Sequence, residues 1–155
     1  MKHQFLFALI ALFNLPSAEA QTTSIRTIRG CCGFGWALSP LRDIDGDGIT
    51  DVIIGQNGNG HVFVYSGRSG QQLHDFSLPA SDLGNAVADA GDVDADGMND
   101  IVAGAVNFAA GVIRVYSGRT GAELLAVAAP AGSSGFGQAV AGVGDLNGDG
   151  RADLL

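Results

Sequence analysis

Three times along the chain a short glycine-centred segment is followed by an acidic one, and this recurrence constrains the fold more than any other feature. Gly33-Phe34-Gly35-Trp36-Ala37-Leu38, Asp82-Leu83-Gly84-Asn85-Ala86-Val87 and Gly135-Phe136-Gly137-Gln138-Ala139-Val140 align. In each, the central glycine stands eight residues ahead of the first aspartate of the acidic segment (35 to 43, 84 to 92, 137 to 145). The first two acidic segments run into β-branched stretches, Asp51-Val52-Ile53-Ile54-Gly55 and Asp100-Ile101-Val102-Ala103-Gly104. Then come Gly60-His61-Val62-Phe63-Val64-Tyr65-Ser66-Gly67-Arg68-Ser69-Gly70 and its counterpart Gly111-Val112-Ile113-Arg114-Val115-Tyr116-Ser117-Gly118-Arg119-Thr120-Gly121. The period is about fifty residues, within the range of repeat architectures, and the third copy stops at Leu155, just after its acidic segment.

Each copy reads as short strands divided by turns. Val52–Ile54 and Ile101–Ala103 are continuous apolar runs, the pattern of strands covered on both faces. Residues 66–70 and 117–121 carry hairpin chemistry, with glycine free to take positive φ, and 71–76 and 122–127 follow as fourth strands. No stretch beyond the N-terminal segment sustains a 3.6-residue apolar period between helix caps. Four strands per unit of this length is the signature of a propeller blade. The expected fold is all-β, a partial β-propeller of four-stranded blades at about 33–81 and 82–134, with the start of a third at 135–155.

The acidic segments are loops shaped for a hard cation. Asp43-Ile44-Asp45-Gly46-Asp47-Gly48-Ile49-Thr50-Asp51, Asp92-Val93-Asp94-Ala95-Asp96-Gly97-Met98-Asn99-Asp100 and Asp145-Leu146-Asn147-Gly148-Asp149-Gly150-Arg151-Ala152-Asp153 all fit D-x-[DN]-x-D-G-x-x-D. Calcium takes six to eight oxygens at about 2.3–2.6 Å. Side chains at positions 1, 3 and 5 converge when the chain curls, and the glycine at position 6 permits the bend. The position-7 carbonyl (Ile49, Met98, Arg151) turns inward, and the position-9 aspartate closes the shell. Two carboxylates about 4 Å apart repel by about 1 kcal/mol even in water, so an empty loop with four of them is strained and a cation relieves it. An EF-hand is excluded, because position 12 is Ile54 or Ala103 rather than Glu, and strands rather than helices follow. Thrombospondin-type calcium repeats are excluded by the same position and by the lack of regular cysteines.

The formal net charge of −8 excludes partners that need a basic face. Nucleic acid is one, and anionic lipid is another. Residues 1–20 read as a secretory signal peptide, with Lys2 ahead of an apolar run from Phe5 to Leu15 and a small-residue cleavage signature ending at Ala20. That run is about half the length a membrane span requires. Cleavage after Ala20 would place residues 21–155 outside the cytoplasm: secreted, periplasmic or on the cell surface. The two cysteines, Cys31 and Cys32, are adjacent, closer than a relaxed disulfide tolerates and too few for zinc. Their role is open, a partner cysteine on another chain being one option.

Nothing else in the chain carries a reaction. His61 alternates with Phe63 and Tyr65 as a strand-face residue, Gly132-Ser133-Ser134-Gly135 reads as a loop, and residues 55–60 lack the lysine and helix of a phosphate cradle. Tyr65 and Tyr116 hold equivalent positions, which suggests packing. Paired carboxylates can serve glycoside hydrolysis, but here they belong to the loops.

The sequence Gly-Phe-Gly, the nine-residue Asp loop and the following Ile-Ile-Gly or Val-Ala-Gly together resemble the FG-GAP repeat, the blade unit of integrin α-subunit β-propellers and of many bacterial exported proteins. The resemblance covers about residues 33–155. It implies that each loop joins the first two strands of a blade and binds calcium. The implied ligands are Asp43, Asp45, Asp47, Asp51 and the Ile49 carbonyl; Asp92, Asp94, Asp96, Asp100 and the Met98 carbonyl; and Asp145, Asn147, Asp149, Asp153 and the Arg151 carbonyl. The chain departs from the family at Asp82-Leu83-Gly84 and in lacking Ala-Pro after Gly55 and Gly104. Two functions fit. One is a non-enzymatic calcium-binding module for adhesion or for an unidentified protein or carbohydrate ligand; the other is the accessory propeller of a larger exported enzyme. Because a propeller closes with four to eight blades, further blades are expected, from the same chain or from a partner chain.

Overall fold

The computed structural model describes residues 28–106 and 111–155. The expected signal peptide lies outside the described residues. Ten strands run in order: β1 (Phe34–Leu41), β2 (Asp51–Gln56), β3 (His61–Tyr65), β4 (Gln72–Ser77), β5 (Leu83–Gly91), β6 (Asp100–Ala105), β7 (Val112–Tyr116), β8 (Glu123–Ala128), β9 (Gly142–Gly144) and β10 (Asp153–Leu154). They form two four-stranded antiparallel meanders, β1-β2-β3-β4 and β5-β6-β7-β8, and a two-stranded sheet, β9-β10. Two complete blades and the beginning of a third are therefore present, as the repeat predicts. The fourth strands begin and end one residue later than the sequence pattern suggests.

The two full blades share one register. Val52 faces Tyr65 and Ile54 faces Phe63 in the first; Ile101 faces Tyr116 and Ala103 faces Arg114 in the second. Both first strands carry an irregularity at the same place, between Phe34 and Ala37 and between Leu83 and Ala86. The glycine there has positive φ, +81° at Gly35 and +88° at Gly84, which an L side chain resists and which is typical of a β-bulge. The hairpin turns close identically, with Gly70 N–H donating to Ser66 O at 2.8 Å and Gly121 N–H to Ser117 O at 2.8 Å.

Packing also joins the blades. Leu41, Ile53, Val62, Val64 and Phe76 from the first blade join Leu83, Ile101, Ala103 and Tyr116 from the second in one core. The rings of Phe76 and Tyr116 stack with centroids 4.1 Å apart and planes 9° from parallel. Beside them His74 Nε2 donates to Gly118 O at 2.9 Å. A second core joins Ala90, Val102 and Val115 to Val140 and Leu154 of the third unit. Tyr116 thus has the packing role expected of it, and the half-buried Tyr65, its ring 6.2 Å from that of Phe63, donates its hydroxyl to Gln72 Oε1 at 3.2 Å. Trp36 and Leu38 lie on an outward face of β1, 63% and 51% exposed. Cys31 and Cys32 are exposed as well. Among the described residues no helix is long and apolar enough to cross a membrane.

Candidate metal centre

Each acidic loop leaves the first strand of its sheet and enters the second, so its two ends are fixed by the ladder. Leu41 ends β1 fully buried, and Asp51 opens β2 only 2% exposed. Between them the chain curls around the first aspartate. Asp43 Oδ1 accepts from the N–H of Gly46 (2.7 Å) and of Asp47 (3.1 Å), and Oδ2 accepts from Gly48 N–H (2.6 Å). The second loop repeats this around Asp92, with Asp96 N–H at 3.0 Å and Gly97 N–H at 2.8 Å. In the third, Asp145 takes Gly148, Asp149 and Gly150 N–H at 2.7, 3.1 and 2.8 Å. The hydrogen bond from Gly48, with those from Gly46 and Asp47, holds the Asp43 carboxyl below the usual carboxylate range against a smaller opposing effect of burial. Asp145 is lowered in the same way, by Gly150 first.

Glycine at positions 4 and 6 answers to the backbone and not to space. A β-carbon on Gly46, Gly48, Gly97, Gly148 or Gly150 would meet nothing within 4 Å, yet all have φ between +78° and +87°. Ala95 takes position 4 of the second loop with φ +64°, a left-handed conformation that costs a non-glycine residue about 1–2 kcal/mol.

The ninth position is the buried anchor. Asp51 Oδ2 accepts from Ile44 N–H at 2.9 Å and Oδ1 from Gly67 N–H at 3.0 Å; Asp100 does the same with Val93 (2.8 Å) and Gly118 (3.1 Å). Gly67 and Gly118 sit in the β3–β4 and β7–β8 turns, so close that a β-carbon would overlap the carbonyl oxygens of Thr50 and Asn99. Burial pushes the Asp51 and Asp100 carboxyls up, and the neighbouring acidic side chains add to this, only partly offset by the two backbone N–H groups. Burial is the main cause and the acidic neighbours the lesser one, so a cation placed here would favour the charged form of both.

The first two loops bring three carboxylates together. One oxygen each from Asp43, Asp45 and Asp51 lie within 4.8 Å of one another, and so do oxygens of Asp92, Asp94 and Asp100. Oxygens on opposite sides of one calcium ion are about 5 Å apart, so each set fits a single hard divalent cation. Asp47 and Asp96 stand outside these sets. Their Oδ1 atoms accept from Ile49 N–H (2.8 Å) and Met98 N–H (2.9 Å), and their Oδ2 atoms face Arg68 and Arg119. In the third loop Asn147 replaces a carboxylate, donating to Asp149 Oδ2 at 3.1 Å and Asp153 Oδ1 at 3.4 Å, while Arg151 N–H donates to Asp149 Oδ1 at 2.9 Å.

The FG-GAP-like repeat matches residues 43–103 and again residues 92–155, most of the described chain. The chain belongs to the FG-GAP-like repeat family. Integrin alpha-4 of Xenopus laevis is 30% identical over 143 residues, covering 78% of this chain and 14% of that protein. Mouse integrin alpha-E is 32% identical over 178 residues, 93% of this chain and 15% of the relative. Human integrin alpha-11 is 32% identical over 145 residues, 78% and 12%. The chain thus spans less than a sixth of the length of these relatives.

Within the FG-GAP frame the structure adds residues that sequence reasoning passed over. Arg68, Arg119, Ser66 and Ser117 were legible only as hairpin turns, although their repetition in both copies was a signal. Neighbouring loops are also tied together. Asp89 accepts from Arg42 N–H (3.1 Å), next to the first loop, and from the Asn99 side chain of the second (2.9 and 3.0 Å). Ala152 N–H of the third loop donates to Asp92 O at 2.8 Å, and Arg151 Nη1 to Val93 O at 3.1 Å.

Proposed function

We propose that this chain is a calcium-binding portion of an exported FG-GAP β-propeller that presents a rigid surface for adhesion or for binding a protein or carbohydrate ligand. The observation that carries the reading is the convergence of Asp43, Asp45 and Asp51, and of Asp92, Asp94 and Asp100, at the same place in successive blades. Oxygen-only donors of this charge suit calcium. Asp43, Asp45, Asp51 and the Ile49 carbonyl would hold one ion and Asp92, Asp94, Asp100 and the Met98 carbonyl another, with Asp47 and Asp96 completing the shells. Asp145, Asn147, Asp149, Asp153 and the Arg151 carbonyl would form a third, weaker site because one carboxylate is replaced by an amide.

A bound ion would neutralise the carboxylates, relieve their repulsion and cross-link the two strands that flank each loop. The chain's own residues do the rest: Gly67 and Gly118 hold the ninth aspartate, and backbone N–H groups orient the first. No catalysis is proposed. Among the described residues the serine, histidine and tyrosine side chains named above make packing, hairpin and loop contacts, the Ser66 hydroxyl donating to Asp47 Oδ2 at 3.3 Å within the acidic loop. Export is supported by the N-terminal segment together with the kinship to integrin α subunits. Calorimetric titration with calcium, magnesium and chelator tests the metal reading: two or three equivalents of calcium, at the affinity of about 10⁻⁴–10⁻³ M usual for extracellular modules, are expected. A flat calcium titration rules it out.

A further inference from the structure

We infer that Arg68 and Arg119 are built-in counter-ions of the metal loops, each holding the fifth-position aspartate of its own blade until a divalent cation displaces it. The inference rests on the metal reading above and concerns residues to which that reading gives no role. The same geometry occurs in both complete blades. Arg68 Nη2 donates to Asp47 O at 2.8 Å while its Nε lies 3.5 Å from Asp47 Oδ2; Arg119 Nη2 donates to Asp96 O at 2.7 Å while its Nε donates to Asp96 Oδ2 at 2.8 Å. Each guanidinium thus takes a carboxylate and a main-chain oxygen of one residue, a grip that its planar fork makes possible and a lysine cannot reproduce.

The preceding residue completes the device. Gly67 and Gly118 hold the ninth carboxylate, so two consecutive residues of one turn grip two carboxylates of one loop. The first, third and ninth carboxylates converge, whereas the fifth, paired with arginine, stands apart. Such a pair is displaceable. Arg68 and Arg119 are 60% and 50% exposed, and pairs in that setting contribute little net stability, so a divalent ion surrounded by three further carboxylates outcompetes them. In its absence the guanidinium removes one negative charge from a crowded loop. The third loop has a neutral donor, the Asn147 amide, at the corresponding carboxylate.

The test compares the full wild-type chain with Arg119→Gln, Arg68→Gln and Arg119→Lys by calcium calorimetry and by thermal melting in chelator. Removing the charge is expected to tighten calcium binding at one site by about three- to tenfold, the effect of one nearby charge on a divalent ion in salt, and to lower the melting temperature in chelator. Arg119→Gln should act more strongly than Arg68→Gln, whose Nε contact is the longer. Arg119→Lys should fall between wild type and Arg119→Gln, because lysine keeps the charge that competes with the ion and loses the two-oxygen grip. Wild-type protein that binds calcium while both glutamine variants bind it equally or more weakly overturns the latch alone. Wild-type protein that binds none overturns the metal reading and the latch together. Arg68→Gln keeps the question answerable if Arg119→Gln fails to fold.

Discussion

Gly55 of the first blade lies against the peptide of Gly84 in the second, so closely that a β-carbon on Gly55 would overlap the Gly84 carbonyl oxygen. From the other side, a β-carbon on Gly84 would sit 2.8 Å from the Gln56 nitrogen. The glycine that follows one blade's β-branched run therefore docks on the glycine of the next blade's first strand, a contact that requires glycine at 55 and adds to the positive φ that requires it at 84. Replacing Gly55 with alanine must force the two main chains apart. The expected loss is about 1–3 kcal/mol, as for overpacking generally, read from urea unfolding. An unchanged midpoint would mean that the blades do not meet there.

Ala95 offers the opposite experiment. Its left-handed backbone is shared by Gly46 and Gly148 at the equivalent position, so Ala95→Gly should remove about 1 kcal/mol of strain. The variant should melt at a higher temperature in chelator. The reciprocal Gly46→Ala should melt lower.

Asp45 is exposed and Asp94 only partly buried, and each reaches its group through a short loop contact. Asp45→Ala and Asp94→Ala should therefore each abolish about one equivalent of calcium in calorimetry and leave the fold intact by circular dichroism. With calcium at about a hundred times the dissociation constant, each occupied site adds about 2.7 kcal/mol of stability. The calcium-dependent rise in melting temperature should shrink accordingly in each variant.

Burial pushes the Tyr116 phenol above its ordinary 10.0, with Arg114 pulling the other way and Glu123 adding to the rise. An acid raised in the folded state favours the neutral form there. Stability due to Tyr116 is then fully present below pH 10.0 and declines as pH climbs from there through the higher folded value. Ultraviolet titration of the native protein should show the Tyr116 phenolate appearing later than that of the unfolded chain. Tyr65, also raised chiefly by burial, should follow the same sign.

The Asp89 carboxylate bridges the approach to the first loop and the eighth residue of the second. Asp89→Ala leaves Arg42 N–H and the Asn99 amide without this acceptor, and a loss of about 1–2 kcal/mol is expected from denaturant unfolding. A double-mutant cycle with Asn99→Ala should recover a non-additive portion of that loss.

The sequence revealed what is local and repeated. Ile53-Ile54 and Ile101-Val102 announced covered strands, Ser66–Gly70 a hairpin, and the aspartates of each loop their common register. What it hid depends on distance. Asp47 and Arg68 are separated by 21 positions, and no local pattern shows that a turn residue folds back onto the loop. The glycines were hidden differently, since Gly48 is required by φ and Gly55 by a neighbour's main chain, and both print the same letter. Val140 was legible as a repeat position, but residues 135–139 bend and turn instead of forming a first strand; Ala141 exchanges backbone hydrogen bonds with Leu155, and the strand itself starts at Gly142.

Gly104 meets Gly137 as Gly55 meets Gly84, again with a β-carbon barred by the facing carbonyl oxygen. Two bare main chains are the thinnest spacer that can separate neighbouring sheets, and its thickness does not depend on which side chains fill the core around it. Phe34, Leu83 and Phe136 can therefore differ from copy to copy without altering the step from one blade to the next. A duplicated stretch of the gene would supply a unit with both mating surfaces ready-made, so a chain built this way can lengthen by whole copies without redesigning its joints.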